Sequence, residues 1–95
     1  MADEKTFHLK VITPDRIFFE GPVLSIIAPG GAGSMGVLVN HAPLITTLVP
    51  GRMVITSPKG EKRSYQIGPG FLDILKNQVT LLTESIKAES ATILS

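Results

Sequence analysis

Apolar and polar positions alternate along this chain with a period of two, in bursts of five to eight residues cut by Gly or Pro about every ten positions. Phe7, Leu9 and Val11 interleave with His8, Lys10 and Ile12, which predicts a first strand with one clearly apolar face; Thr13-Pro14-Asp15 turns it. Arg16 to Glu20 reads as a second strand closing at Gly21-Pro22. Val23 to Ala28 is a third, almost continuous in apolar character, as expected of a central strand. After a glycine-rich segment, Met35 to Val39 predicts a fourth strand. Leu44 to Val49 predicts a fifth, stopped by Pro50-Gly51.

Arg52 to Thr56 and Arg63 to Ile67 flank the polar segment Ser57-Pro58-Lys59-Gly60-Glu61, the pattern of an antiparallel hairpin. Past Gly68-Pro69-Gly70, the runs Phe71 to Leu75 and Val79 to Thr83 surround Lys76-Asn77-Gln78, where Asn77 suits the left-handed position of a tight turn. Strands so closely spaced leave no room for crossover helices and predict an antiparallel β-sandwich or barrel. Only Glu84 to Leu94 departs from the period. There Ile86, Ser90, Ile93 and Leu94 share one side of a helical turn or two, too short to stand alone, so a frayed or partner-dependent tail is expected.

Composition agrees. Val, Ile and Thr supply about a quarter of the residues, and a length of 95 suits one small domain. A hydrophobic content of 43% and a mean hydropathy of +0.29 are high for so short a chain, which leaves apolar surface for a partner to cover. Nine Lys or Arg against eight Asp or Glu give a net charge of +1, scattered without a basic patch; nothing here is a nucleic-acid footprint. The lack of Cys excludes disulfides and Cys-based zinc sites and fits a reducing compartment. The N-terminus lacks the apolar core of a secretory signal, and no run reaches the roughly 20 apolar residues of a membrane helix, so a soluble, cytoplasm-side protein is expected.

Candidate chemistry is sparse. His41 is accompanied only by His8, and its pattern favours a buried or interfacial side chain hydrogen-bonded to backbone near Pro43 over a metal ligand. Gly30, Gly31 and Gly33 do not form a P-loop, because the segment leads into a strand and carries no Lys. Ser25, Ser34, Ser57 and Ser64 lack a nucleophile-elbow context, Asp73 should point outward from its strand, and the acids form no recognisable pair. Met35, Val37 and Val39 read more naturally as strand core than as a recognition surface. The residues alone leave two readings open: a β-module holding a small apolar ligand, and a small hydrolase that depends on His41.

Six ordered landmarks carry a resemblance to a known family: Val11-Ile12-Thr13-Pro14-Asp15 followed by Phe19-Glu20-Gly21; Gly33-Ser34-Met35-Gly36-Val37-Leu38; Asn40-His41-Ala42-Pro43-Leu44; Pro50-Gly51; Gly70-Phe71-Leu72-Asp73-Ile74; and Asn77-Gln78-Val79-Thr80-Leu81-Leu82. Together they span Leu9 to Ile86. The chain resembles the N-terminal β-sandwich domain of the epsilon subunit of F-type ATP synthase.

The resemblance implies an all-β fold, a flattened ten-stranded antiparallel β-sandwich over residues 1–86 with a tail over 87–95. It implies a non-catalytic rotor subunit of the central stalk, without a cofactor, that binds the gamma subunit and the ring of c subunits and couples proton-driven rotation to ATP synthesis. Membrane association would come only through the complex, at the cytoplasmic face of a bacterial inner membrane. The gamma contact would fall on Met35, Val37, His41, Ala42 and Pro43, and the c-ring contact on Gly30, Gly31, Ala32, Gly33 and Ser34. Three departures accompany it. Ser34 stands where many members carry an acid, Gly68-Pro69-Gly70 replaces a paired glycine, and the C-terminal helical hairpin of most members, with its inhibitory role and nucleotide site, is expected to be absent.

Overall fold

The computed structural model describes residues 5–89. Ten strands follow one another: β1 (Phe7–Thr13), β2 (Arg16–Val23), β3 (Ser25–Gly30), β4 (Gly33–Val37), β5 (Leu44–Leu48), β6 (Gly51–Thr56), β7 (Lys62–Ile67), β8 (Gly70–Leu75), β9 (Gln78–Thr83) and β10 (Ile86–Ala88). They hydrogen-bond in the order β10-β7-β6-β3-β5-β8-β9-β1-β2, with β4 on the other edge of β3. The sheet folds over on itself where β3 stops pairing with β6 and meets β5 through a single pair, Gly30 and Leu48. Two layers result, β4-β3-β6-β7-β10 and β5-β8-β9-β1-β2. That is the expected sandwich.

Period-two patterning decides what lies between the layers. Along β1 every second residue is buried, and Leu9 and Val11 sit opposite Val79 and Leu81 of β9, which in turn face Ile74 and Leu72 of β8. The facing layer supplies Ile26 flanked by Val37 and Ile55, and Met53 beside Tyr65. Leu9, Val11, Ile26, Val37, Met53, Leu72 and Leu81 are fully enclosed. At one side the Phe18 and Tyr65 rings meet edge to face at 5.6 Å, closing the gap between β2 and β7.

Three expectations need correction. The strands are not all antiparallel, since β1 runs parallel to β9. β4 begins at Gly33, two residues early, and ends at Val37, because the glycine-rich segment pairs directly: Gly30 faces Gly33 across a two-residue turn, Gly31-Ala32. No helical turn forms at Ile86–Ala88. These residues add a strand to the free edge of β7, with Ile86 opposite Ile67, which carries the sandwich past residue 86. The Glu89 N–H extends the pairing by donating to the Ser64 carbonyl, and the Glu89 carboxylate meets Arg52 at 3.1 Å. Ser90, Ile93 and Leu94, assigned to the tail, lie outside the described residues.

One glycine is obligatory. A Cβ on Gly70 would fall directly on the Leu82 carbonyl, so the start of β8 approaches β9 as only glycine allows. Among the described residues no helix is long and apolar enough to cross a membrane.

Candidate functional site

The register of β5-β8-β9-β1-β2 lays three rows of side chains across the outer face of that layer. The first row runs Thr47, Phe71, Leu82, Ile12, Ile17. The second is Ile45, Asp73, Thr80, Lys10, Glu20, and the third is Leu75, Gln78, His8, Pro22. Asp73 does point outward. Phe71 is 56% exposed and Ile45 73%, and Ile17, Leu75 and Leu82 are exposed as well. Five of the eight exposed large apolar side chains among the described residues are therefore on this one face, the others being Ile27, Leu38 and Val49. Next to the first row an open cleft of about 660 Å³, lined by Ile12, Pro14, Leu48, Pro69, Phe71 and Leu82, continues the apolar surface to the end of the layer. His8 Nε2 and Glu20 Oε2 lie at hydrogen-bond distance, 2.9 Å, in the polar part of the face.

Loops define the two ends. At the end where β3 passes into β4, Gly31, Ala32, Gly33 and Ser34 are exposed and Gly30 is buried. Gly33 adopts φ 124°, a conformation closed to most side chains. The turn is tied to the other layer, since Gly31 N–H donates to the Thr47 carbonyl and Val49 N–H to that of Pro29. At the opposite end of β4 lies Asn40-His41-Ala42-Pro43. His41 is half-buried and its Nδ1 contacts the Ala42 carbonyl at 2.7 Å, the backbone bond next to Pro43 that the sequence predicts. A carbonyl only accepts, so Nδ1 carries the hydrogen and Nε2 is the acceptor of the neutral ring.

The structure thus divides the ten candidate contact residues. His41, Ala42 and Pro43 gather at one end and the Gly31–Ser34 turn at the other, separated by the length of β4. Val37, expected at a contact, is fully buried against Ile26, and Met35 is half-buried against the same core. Alternation in β4 forces this: Met35 and Val37 share the inner face, and Ser34 and Gly36 the outer one. The outward row of half-buried Ile12 and exposed Ile17, Phe71 and Leu82 went unassigned from the sequence. Its signal was the apolar doublets Val11-Ile12, Phe71-Leu72 and Leu81-Leu82, each of which must send one member outward in a strand. Among the described residues no group of three His, Cys, Asp or Glu converges to hold a metal ion.

A surface of two tied end loops and one broad apolar sheet face is equipped to bind. Residues 6–89 match the sequence profile described as ATP synthase, Delta/Epsilon chain, beta-sandwich domain. The chain belongs to this family. The ATP synthase epsilon chain of Chlorobium limicola is 36% identical over 85 residues, 90% of this chain and 97% of that protein. That of Rhizobium etli is 39% identical over 85 residues, 90% of this chain but 62% of its own length. That of Dichelobacter nodosus is 37% identical over 78 residues, 82% of this chain and 54% of its own. The chain thus spans nearly all of some epsilon chains and little more than half of others. In solved structures it superposes with a TM-score of 0.84 and 26% identity on a chain of the Euglena gracilis mitochondrial ATP synthase (OSCP/F1/c-ring), covering 88% of this chain and 54% of that one. A chain of the central stalk and c-ring of the Tetrahymena thermophila enzyme shares the fold, with a TM-score of 0.72 at 14% identity.

Proposed function

We propose that this delta/epsilon-family sandwich is a non-catalytic rotor subunit of an F-type ATP synthase, held between the gamma subunit and the ring of c subunits, and that it carries rotation from ring to gamma. Peripheral attachment at the cytoplasmic face of a bacterial inner membrane follows from that role. The outer face of β5-β8-β9-β1-β2 docks on gamma, helped by His41, Ala42 and Pro43 at one end. The Gly31–Ser34 turn at the other end meets the ring. One observation carries the assignment of the gamma face: the outward apolar row of exposed Ile17, half-buried Ile12, and exposed Leu82 and Phe71, which crosses four strands and ends at Thr47 on a fifth.

The mechanical logic is simple. A torque-bearing contact must resist sliding, and an apolar core surrounded by polar groups does so by losing area whenever it slips. Here the polar surround is Asp73, Thr80, Lys10 and Glu20 in the adjacent row. At the ring end the small turn Gly31-Ala32 brings backbone close to a partner, and Ser34 offers a hydroxyl in place of a charge.

Calorimetric titration of the chain with the purified gamma subunit of its own synthase tests the reading. Saturable binding with a negative heat-capacity change is expected, since apolar surface is covered. Absence of binding by folded protein overturns it. Recovery of a small apolar ligand from the cleft in place of gamma would favour the ligand-binding alternative.

A further inference from the structure

Asn40 and Asn77 lie 37 positions apart, on the loop after β4 and on the β8–β9 turn, and they grip each other twice. The Asn40 backbone N–H donates to Asn77 Oδ1 at 2.6 Å, and Asn77 Nδ2 donates to Asn40 Oδ1 at 3.0 Å. The backbone N–H fixes which end of the Asn77 amide is oxygen, so the pattern admits no flipped alternative. Both residues are left-handed, with φ of 65° and 63°, the conformation Asn tolerates better than other non-glycine residues. The Asn77 carbonyl also accepts the His8 N–H at 2.9 Å. One residue therefore ties the start of β1, the β8–β9 turn and the loop before β5.

That loop bears His41, Ala42 and Pro43. Its other bonds are local: His41 N–H to the Leu38 carbonyl at 3.3 Å, and His41 Nδ1 to Ala42. Leu38 beside it is exposed, so little apolar burial holds the segment from that side. The Asn pair is the long-range polar tie across which its position is set relative to the apolar face of β8 and β9.

We infer that the Asn40–Asn77 clasp is a positioning device, which fixes His41-Ala42-Pro43 in the conformation that meets gamma, so that docking need not order the loop. The inference rests on the proposed gamma docking and deepens it. Neither asparagine need touch gamma for this role.

Gly suits φ > 0, so both N40G and N77G keep their turns: N77G removes both bonds, whereas N40G removes only the Asn77 Nδ2–Asn40 Oδ1 bond and leaves the backbone N–H of residue 40 on Asn77 Oδ1. Three readouts are needed for each variant: amide hydrogen exchange over residues 38–43, the affinity for gamma, and the entropy of binding by calorimetry. In N77G, exchange at residue 40 should rise about tenfold, and gamma affinity should fall roughly three- to tenfold with a less favourable entropy, the scale of one net hydrogen bond and a few reordered residues; N40G, which keeps the residue-40 acceptor, should move both readouts less. The double variant should be no weaker than N77G, because N77G already removes both bonds, and N40G should fall between it and wild type. N77D keeps an acceptor for the Asn40 N–H and should recover part of the protection and part of the affinity.

Unchanged exchange in the glycine variants overturns the inference, since the clasp then holds nothing. So does a loosened loop with unaltered gamma affinity while F71A still weakens binding; in that case the docking reading survives and the clasp is structural only. If F71A and the glycine variants all leave affinity untouched, the docking reading fails and the inference falls with it.

Discussion

Removing the Phe71 ring should separate binding from folding. Phe71 lies mid-row on the outer face, between Thr47 and Leu82, and is 56% exposed. A Phe side chain presents roughly 200 Å² on burial, so about 110 Å² of it remains for a partner to cover; at about 25 cal/mol per Å² that is close to 2.8 kcal/mol. F71A keeps the β-carbon, which lowers the expected loss to about 2–2.5 kcal/mol, or a roughly 30- to 60-fold rise in Kd for gamma. Total interface area converts poorly to affinity, but truncation of a central aromatic anchor is the kind of change that does register.

Stability should respond little, because the ring is more than half exposed; about 1 kcal/mol is expected in chemical denaturation. The matched control is I27A, which removes an exposed apolar side chain from the outer face of the other layer, where it lies beside Val54. Calorimetric titration of gamma into wild type, F71A and I27A gives the answer. Equal Kd values for F71A and wild type, with both proteins folded, would refute the assignment of this face. A larger loss for I27A would move the docking site to β3 and β6.

Three further outcomes test the fold. G70A should fail to fold or lose several kcal/mol in urea unfolding, because its methyl group would occupy the place of the Leu82 carbonyl. K76N should gain about 0.5–1 kcal/mol by thermal or chemical denaturation: Lys76 is held at φ 52° in the β8–β9 turn, where Asn is better tolerated. R52A removes the partner of Glu89 at the last strand, and since Arg52 is well exposed its cost should stay under about 1 kcal/mol and shrink in high salt, as denaturation at two ionic strengths will report.

Much of the architecture was legible because most of the strand signal is local. Phe7, Leu9 and Val11 announce β1 since one face of that strand is buried along its whole length, and Asn77 announces its turn because few other residues accept a φ of 63°. What was not legible depends on partners distant in sequence. Nothing in β1 or β9 encodes that they lie parallel, and Ile86–Ala88 is too short for any period to show; it becomes a strand because the β7 edge has N–H and C=O groups to pair. Of the expected contact residues, Met35 and Val37 fall on the core-facing phase of their strand. A segment reading Ser34-Met35-Gly36-Val37 states that Met35 and Val37 share a face, but whether that face meets core or partner is decided by Ile26 on the neighbouring strand.

The same phase argument supports the proposed docking layer. A strand in a two-layer sandwich has one face to bury, and a polar residue at each outward position satisfies the other. The β6, β7 and β10 strands mostly follow that rule: Arg52, Gln66 and Lys87 form one outer row, and Ser64 faces Val54. β1, β8 and β9 break it at neighbouring positions, each with an apolar doublet whose outer member joins one row. Random excess hydrophobicity would scatter such doublets among registers. Their alignment across three adjacent strands, extended by Ile17 on β2, marks the row as a surface suited to being covered, which supports the proposed docking of gamma on this face.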